Sequence, residues 1–186
     1  DTRALENGWD MVLRSLLRRP EIGGIGARLL YEDGTLQHGG VLLYDTAIAV
    51  HEAAGQTCDN PHYMYRSALP HHASAVTGAF LACTKVNFET IGGFDEQFQI
   101  IFNDIDFCLK LREKGLKILY TPDITFNHLE SKSRGYDHQD SKKAQRAKAE
   151  SQKMKRKWGD TLNEDPYYPP IFARSGKPFS RIEILR

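Results

Sequence analysis

The clearest helix pattern in this chain is Ile101-Phe102-Asn103-Asp104-Ile105-Asp106-Phe107-Cys108-Leu109-Lys110-Leu111-Arg112-Glu113-Lys114-Gly115. One face of that helix carries four residues at helical spacing: Asp104, Phe107, Cys108 and Leu111. Gly115 stands where a glycine would end the helix. Asn103 or Asp104 can cap the first turn, where the helix dipole favours a carboxylate. The stretch predicts either a capped amphipathic helix or a carboxylate held at a pocket mouth as a general base.

The composition of the chain excludes several classes of protein. With 186 residues and a net charge of +1, the chain is one domain or a large part of one, and not an electrostatic nucleic-acid binder. No apolar run approaches the length of a membrane span, and the first residues show no signal-peptide pattern. The three cysteines are odd in number and widely spaced, which argues against a zinc knuckle and a disulfide framework. We therefore expect a protein of the reducing cytoplasm.

Apolar patterns along the rest of the chain alternate between helix and strand. A helix pattern over residues 4–19 is ended by Pro20, and another covers residues 139–158. Between these helices we expect strands at 22–31, 41–44, 75–84, 117–120 and 124–126, an irregular segment at 45–75 and a turn at 121–123. The run at 75–84 is apolar almost throughout, which is typical of a strand buried on both faces. The alternation predicts an α/β domain.

Two features in the middle of the chain bear on function: a glycine inside a predicted strand and a segment rich in histidine. Gly78 would weaken the predicted strand at 75–84, so we expect a backbone or a ligand to approach it closely. The irregular segment is rich in histidine, and residues 51–55 miss the zinc-protease motif because Gly55 replaces the second histidine. Loop histidines are more often solvated or structural than metal ligands. A metal hydrolase built from this segment is therefore the weakest hypothesis for the chain.

The last part of the chain is basic. The helix pattern at 139–158 holds eight Lys or Arg residues against Asp140 and Glu150. A solvated helix face is the commonest explanation of such a run, and an anionic membrane surface or a charged glycan acceptor are the alternatives. The proline-rich residues from Asp165 onward predict an extended tail on the surface. We divide the chain into residues 1–138, the main domain, and residues 139–186, the basic helix and the tail packed on it.

Several motifs, in order along nearly the whole chain, resemble family 2 glycosyltransferases with the GT-A fold. The motifs similar to the middle of that family are Trp9, the run at 16–40, Thr77-Gly78-Ala79 and Gly92-Gly93-Phe94-Asp95-Glu96. Asn103-Asp104-Ile105-Asp106 looks like the family's Glu/Asn-Asp-x-Asp helix. The runs at 128–135 and 165–168 resemble the branch associated with bacterial O-antigen and other surface polysaccharides. The resemblance implies a partial GT-A domain of the α/β class, Rossmann-like and with a mixed sheet.

The same resemblance implies an inverting, metal-dependent transfer of a sugar from a nucleotide-sugar donor. It assigns the catalytic base to Asp104 and acceptor contacts to Gly78, Asn103 and Asp106, although Asn103 stands where the family often has Glu. Asp106 lies about 200° around the helix from Asp104, so the two carboxylates do not form a glycosidase pair on one face. A loop closing over the donor diphosphate would comprise Ser131, Ser133 and Arg134. Asp1 and His128 would contact a Mg²⁺ or Mn²⁺ ion.

The resemblance also implies that part of the enzyme lies outside this chain. In the family, the N-terminal half binds the nucleotide and ends in an Asp-x-Asp motif, and Asp1 looks like the last aspartate of that motif or a residue beside it. We therefore expect the chain to be the C-terminal, acceptor-side portion, inactive alone. The expected partners are the donor, a glycan or lipid-linked acceptor, the inner face of the membrane and a second copy joined through a sheet edge. The alternative function is a non-catalytic carbohydrate-binding or assembly module.

Overall fold

A computed structural model describes residues 2–44, 48–59, 62–99, 101–129 and 141–183, with the backbone alone for 141–143. Its strands are β1 (Thr2–Ala4), β2 (Ile22–Leu30), β3 (Leu36–His38), β4 (Val41–Tyr44), β5 (Ile48–His51), β6 (His71–Ala73), β7 (Leu81–Ala82) and β8 (Lys117–His128). Its α-helices are α1 (Trp9–Leu16), α2 (Lys85–Thr90), α3 (Asn103–Glu113) and α4 (Ser141–Trp158). Short 3-10 helices occur at Tyr63–Ala68, Gly78–Phe80 and Gly159–Leu162.

One mixed sheet forms the centre of the described structure, with strands in the order β1-β8-β2-β3. β2 and β8 run parallel, whereas β1 and β6 pair antiparallel with β8, and β3 and β7 pair antiparallel with β2. β4 and β5 form a separate antiparallel pair. The parallel pair requires a long crossover, and this crossover carries α2 and α3. The predicted α/β class is confirmed, and the mixed sheet is compatible with a Rossmann-like domain.

α3 is the helix predicted at residues 101–115. The backbone of Phe102 has a left-handed φ of 65° and leads into the first turn. At the other end Gly115 has a φ of 77°, which a residue with a side chain rarely adopts. The N–H of Leu116 binds the Leu111 carbonyl at 3.2 Å, and the N–H of Gly115 binds the Arg112 carbonyl at 2.9 Å. These two bonds form a Schellman motif, so the predicted glycine stop is confirmed.

The turn predicted at residues 121–123 is wrong, because β8 continues through it as one strand. Ala27 of β2 faces Thr121, and the next residue, Arg28, faces Thr125, so β8 bulges between these positions. The Thr125 hydroxyl donates to the carbonyl oxygen of Pro122 at 2.9 Å and holds the bulge. Proline lacks the N–H that a strand ladder needs, and a bulge is a place where a strand tolerates it.

The strand predicted at residues 75–84 is also wrong. The Thr77 hydroxyl accepts a hydrogen bond from the Ala79 N–H at 3.4 Å, and the chain turns into the 3-10 helix Gly78–Phe80. β7 follows and pairs with β2, but it is half-buried rather than covered on both faces. A short apolar run does not distinguish a buried strand from a turn that packs against a core. The segment at 45–75, predicted to be irregular, contains β5 and β6.

α4 packs against the domain through a narrow stripe of buried side chains, Glu150, Met154 and Trp158, spaced four residues apart. Met154 and Trp158 share a core cluster with Phe107 of α3. The charged residues of the helix lie mostly on the opposite, exposed side. α4 ends at Trp158, as predicted. The predicted domain boundary at residue 138 lies outside the described residues.

The tail after α4 is mostly exposed or half-buried, as expected of a surface segment, but a few of its residues enter the interior. Asp165 is buried, and its Oδ2 accepts a hydrogen bond from the N–H of Leu43 at 2.6 Å. Tyr168 packs with Leu42 and Tyr44 in a small core of its own. A carboxylate that binds a backbone N–H in the interior, together with an aromatic ring, gives the tail a fixed position.

None of the helices in the described ranges is long and apolar enough to cross a membrane.

Candidate functional site

The first turn of α3 carries two side chains that bind its exposed backbone N–H groups. Asn103 Oδ1 accepts from the Asp104 N–H at 2.8 Å, and Asp104 Oδ1 accepts from the Ile105 N–H at 2.8 Å. The N-cap itself is Phe102, which makes no side-chain cap bond. The prediction that Asn103 or Asp104 would be the cap residue is therefore wrong. Both nevertheless bind N–H groups at the positive end of the helix, where a carboxylate is stabilised.

The structure brings Asp104 together with Gly78, another predicted site residue. Asp104 Oδ2 accepts a hydrogen bond from the Gly78 N–H at 2.7 Å. A methyl group built on Gly78 would lie 3.5 Å from Asp104 Cβ, so the close approach expected at this glycine is made by the Asp104 side chain. Gly78 is exposed and Asp104 is partly exposed. The carboxylate is thus held by backbone N–H groups from two segments while it remains accessible from the surface.

Asp106 occupies a different environment from Asp104, although only Ile105 separates the two residues. Its side chain is 0% exposed, and Oδ1 accepts from Trp158 Nε1 at 2.8 Å and lies 2.7 Å from Lys157 Nζ. Burial alone would lower the pKa of Lys157, but the hydrogen bonds to Asp106 and Asp95 outweigh it and raise that pKa. In this structure the Asp106 carboxylate faces Trp158 and Lys157 and is closed to solvent. The acceptor contact assigned to Asp106 stays a prediction.

His128 ends β8 and faces Thr2 of β1 in the sheet. Its Nδ1 lies 2.8 Å from Gln37 Oε1, and imidazoles that ligate a metal commonly have one ring nitrogen fixed in this way. Within the described ranges, no group of three or more His, Cys, Asp or Glu side chains is arranged to hold a metal ion. These residues alone therefore do not build a Mg²⁺ or Mn²⁺ site. The remaining predicted metal and diphosphate residues, Asp1, Ser131, Ser133 and Arg134, lie outside the described residues.

The histidine-rich segment forms a network that the sequence did not reveal, which we call the histidine network: His38, His51, Glu52, Arg66 and His71. Glu52 is 2% exposed, and the Arg66 guanidinium binds both of its oxygens, at 2.7 and 3.0 Å. His71 Nε2 lies 3.7 Å from the same carboxylate. Burial alone would raise the pKa of Glu52, but the nearby His71, the hydrogen bonds from Arg66 and the charge of Arg66 hold that pKa below its usual value.

His38 is the most deeply buried member of the histidine network. Its side chain is 0% exposed, and its Nδ1 lies 3.1 Å from Nδ1 of His51. Burial, together with the nearby His51 and His71, lowers the pKa of His38 well below its ordinary value. The imidazole is therefore neutral in the folded protein at neutral pH. A neutral ring packed edge-on against Tyr120 acts as a core residue.

A cleft of about 350 Å³ lies beside the histidine network and was not expected from the sequence. Its walls include Glu52, Gln56, Tyr63, Lys177 and Phe179. The rings of Tyr63 and Phe179 stack with their centroids 4.4 Å apart. An aromatic wall beside amide and ammonium groups is typical of small-molecule sites. The two walls are more than a hundred residues apart in sequence, so no local pattern could have revealed the cleft.

Comparison with known proteins finds relatives that match this chain over only part of their own length. No protein-family model matches the chain. The chain is 34% identical over 180 residues to an uncharacterized protein, y4gI, of Sinorhizobium fredii (strain NBRC 101917 / NGR234), covering 96% of this chain and 20% of that protein. It is also 34% identical over 143 residues to the O-antigen biosynthesis protein RfbC of Myxococcus xanthus, covering 74% of this chain and 11% of that protein. The chain thus spans a fifth or less of the length of these relatives, one of which is named for O-antigen biosynthesis.

Proposed function

We propose that this chain is the acceptor-side portion of an inverting, metal-dependent glycosyltransferase that acts in bacterial surface polysaccharide synthesis. The observation that carries the proposal is the Asp104 carboxylate, which the Gly78 and Ile105 N–H groups hold at an accessible position. The motif resemblance supports the reaction type, and the similarity to a protein named for O-antigen biosynthesis supports the biological role.

Asp104 acts in this proposal as the general base. Each carboxylate oxygen offers about two lone-pair sites, so an oxygen that already accepts one N–H can accept a further proton. The acceptor hydroxyl loses its proton to Asp104 while its oxygen bonds to the anomeric carbon of the donor sugar. The bond from that carbon to the diphosphate breaks, and its electron pair leaves with the nucleoside diphosphate. Attack opposite the leaving group inverts the anomeric centre.

Gly78 and Asn103 flank the base and are the proposed acceptor contacts. Gly78 has no side chain, so an acceptor sugar can approach the backbone beside Asp104. Asn103 uses its Oδ1 for the Asp104 N–H, and its amide NH₂ can donate to an acceptor oxygen. The Asn103 side chain carries no charge, so the proposed base is the one carboxylate of this pair.

A Mg²⁺ or Mn²⁺ ion would neutralise the charge that develops on the leaving diphosphate. Among the described residues His128 is the proposed contact, with its ring orientation fixed by Gln37. The remaining proposed ligands are Asp1 and residues of a donor-binding portion of the full-length protein. Ser131, Ser133 and Arg134 stay proposed diphosphate contacts.

The proposed location is the cytoplasmic face of the inner membrane, where lipid-linked acceptors are available. The exposed side of α4 supports it, since Arg146, Lys148, Lys155 and Arg156 point away from the core. A basic surface of this kind is attracted to anionic lipid headgroups. A homodimer formed through the exposed edge strand β1 is a further proposed partnership.

The experiment that tests the proposal is a donor screen with the full-length protein. Nucleoside-diphosphate sugars are offered with Mg²⁺ or Mn²⁺ and a lipid-linked glycan acceptor, and mass spectrometry follows the acceptor. We expect an increase of one sugar mass, dependent on the divalent ion. Failure of every donor to modify the acceptor, with donor binding absent, would contradict the proposal.

The second candidate is a carbohydrate-binding module, and the cleft beside the histidine network is the observation that favours it. Its aromatic and polar walls could hold a sugar ring without any chemistry. The donor screen separates the two candidates. A module would retain the glycan and leave its mass unchanged, whereas the enzyme adds a sugar.

A further inference from the structure

The loop that leads into α3 is held by a carboxylate from a distant helix. Glu150 of α4 is 5% exposed, and its two oxygens bind two backbone groups of this loop. Oε1 accepts from the Gln99 N–H at 3.1 Å, and Oε2 accepts from the Ile101 N–H at 2.8 Å. Ile101 precedes Asp104 by three residues. A buried carboxylate that binds two backbone N–H groups holds both of those peptide groups in position.

A second set of contacts from α4 binds Asp106, which lies in the first turn of α3 after Asp104. Trp158 Nε1 donates to Asp106 Oδ1 at 2.8 Å. Lys157 Nζ lies 2.7 Å from Asp106 Oδ1 and 2.8 Å from Asp95 Oδ2. The two sets of bonds attach to residues 101 and 106, and Asp104 lies between them. α4 therefore binds the Ile101 backbone before the proposed base and the Asp106 side chain after it.

The backbone at Phe102, which lies between these contacts, is strained, and this explains why α4 must hold it in place. Phe102 adopts a left-handed φ of 65°, which residues with a side chain rarely adopt unless their surroundings impose it. Glu150 binds the N–H of Ile101, directly before that residue. The Phe102 carbonyl in turn accepts from the Asp106 N–H at 2.8 Å, which starts the helix. Release of the Glu150 bonds would let Phe102 relax and carry the Asp104 carboxylate away from Gly78.

We propose that α4 is a clamp for the catalytic carboxylate and that Glu150 is a positioning residue for Asp104. The inference rests on the proposed role of Asp104 as the base. A base must lie within hydrogen-bond reach of the hydroxyl that it deprotonates, and a displacement of about 1 Å can slow a reaction by about 100-fold. Glu150 itself contacts neither donor nor acceptor in this proposal.

The test compares Glu150→Gln with Ser151→Ala in the full-length protein. Gln keeps the shape of Glu but replaces one acceptor oxygen by an NH₂ group, which cannot bind the second N–H. Ser151 is the matched control, because it neighbours Glu150 and its hydroxyl donates to the Ala147 carbonyl within α4. Amide hydrogen exchange at Gly78 provides a readout that needs no substrate, since that N–H binds Asp104 on an exposed segment.

We expect Glu150→Gln to speed exchange at Gly78 by roughly tenfold or more, while the β2 amides exchange at the wild-type rate. With the donor and acceptor found by the screen, kcat should fall roughly 10- to 100-fold at an unchanged KM for the donor. Ser151→Ala should leave both readouts unchanged. The proposal is overturned if Gly78 exchange stays at the wild-type rate, or if Gly78 and β2 accelerate by the same factor, as in general destabilisation.

The outcomes also separate this inference from the proposed function. If Asp104→Asn abolishes transfer while Glu150→Gln leaves kcat intact, the base assignment holds and the clamp is wrong. If Glu150→Gln speeds amide exchange at Gly78 while Asp104→Asn transfers sugar at the wild-type rate, α4 positions Asp104 but Asp104 is not the base. In case Glu150→Gln unfolds, Lys157→Met serves as the second variant, because Lys157 is partly exposed and its loss removes one α4 contact to Asp106 while Trp158 Nε1 still donates to that carboxylate.

Discussion

The start of α3 and the histidine network use the same chemical groups for different purposes. In the histidine network, Glu52 is buried, the Arg66 guanidinium binds both of its oxygens, and His71 Nε2 lies 3.7 Å away. At the start of α3, Asp104 is partly exposed, and backbone N–H groups hold its oxygens in place. The region with more titratable side chains thus holds the more deeply buried carboxylate. The proposal of Asp104 as the base rests on how its carboxylate is held and exposed, and not on the number of titratable residues around it.

The largest expected effect on stability comes from breaking the ion pair of the histidine network. Arg66→Leu leaves the buried Glu52 carboxylate without its guanidinium, and removing one partner of a buried pair costs about 3–5 kcal/mol. Urea unfolding of the two proteins measures the loss. The control is Arg14→Leu, which removes a cation from an exposed pair with Asp10 and should change stability by less than about 0.5 kcal/mol. Equal losses for the two variants would show that the histidine network is not structural.

A second prediction concerns the pH dependence of stability. Below a pH of about 6.5 the unfolded chain protonates His38, whereas burial and the neighbouring His51 and His71 keep His38 neutral in the folded protein. The unfolded state then binds more protons, so stability falls as pH falls, by at most about 1.4 kcal/mol per pH unit for this residue. His38→Phe keeps a ring of similar size and removes this titration.

The measurement is the free energy of unfolding of the wild type and of His38→Phe between pH 8 and pH 5.5. The two curves should run parallel above pH 7 and diverge below a pH of about 6.5, where the wild type loses stability more steeply. Parallel curves over the whole range would mean that the folded protein protonates His38 as readily as the unfolded chain does.

The smallest expected effect on stability belongs to the candidate site. Asp104→Asn keeps one acceptor oxygen and loses a charge that the helix dipole stabilises by about 0.3–1 kcal/mol. The matched control is Asp10→Asn, which removes an exposed carboxylate from the first turn of α1. The free energy of unfolding of both variants should lie within about 1 kcal/mol of the wild-type value. A loss of several kcal/mol for Asp104→Asn would assign this carboxylate a structural role like that of Glu52.

Local features of the fold could be predicted from the sequence, and long-range ones could not. The existence of α3 and its glycine stop follow from helical spacing and from a glycine at position 115, both of which are local signals, and the structure gives that glycine the expected positive φ. The run at 75–84 was wrongly predicted to be one strand, because its apolar residues pack beside a turn that Thr77 begins. The burial of Asp165 in the tail could not be predicted, because its carboxylate binds a backbone N–H that lies 122 residues away in sequence.

The candidate site could be predicted as single residues but not as contacts. The first-turn position of Asp104 and the unusual glycine at 78 each marked a special position. Their mutual hydrogen bond spans 26 residues and depends on how α3 docks against the 3-10 helix. Nothing in the sequence around Glu150 indicates that its carboxylate binds the loop before α3, since a lone acid in a basic helix resembles a solvated residue. Tertiary packing decides these contacts.

The most direct test of the central claim is the transfer rate of Asp104→Asn in the full-length protein, measured beside donor binding. General-base catalysis contributes about 10²–10⁴-fold to a rate, so transfer should fall by at least about 100-fold. Donor affinity and folding should match the wild type, because Asp104 takes part in the chemical step alone. Turnover equal to that of the wild type, with donor still bound, would contradict the assignment of Asp104 as the base.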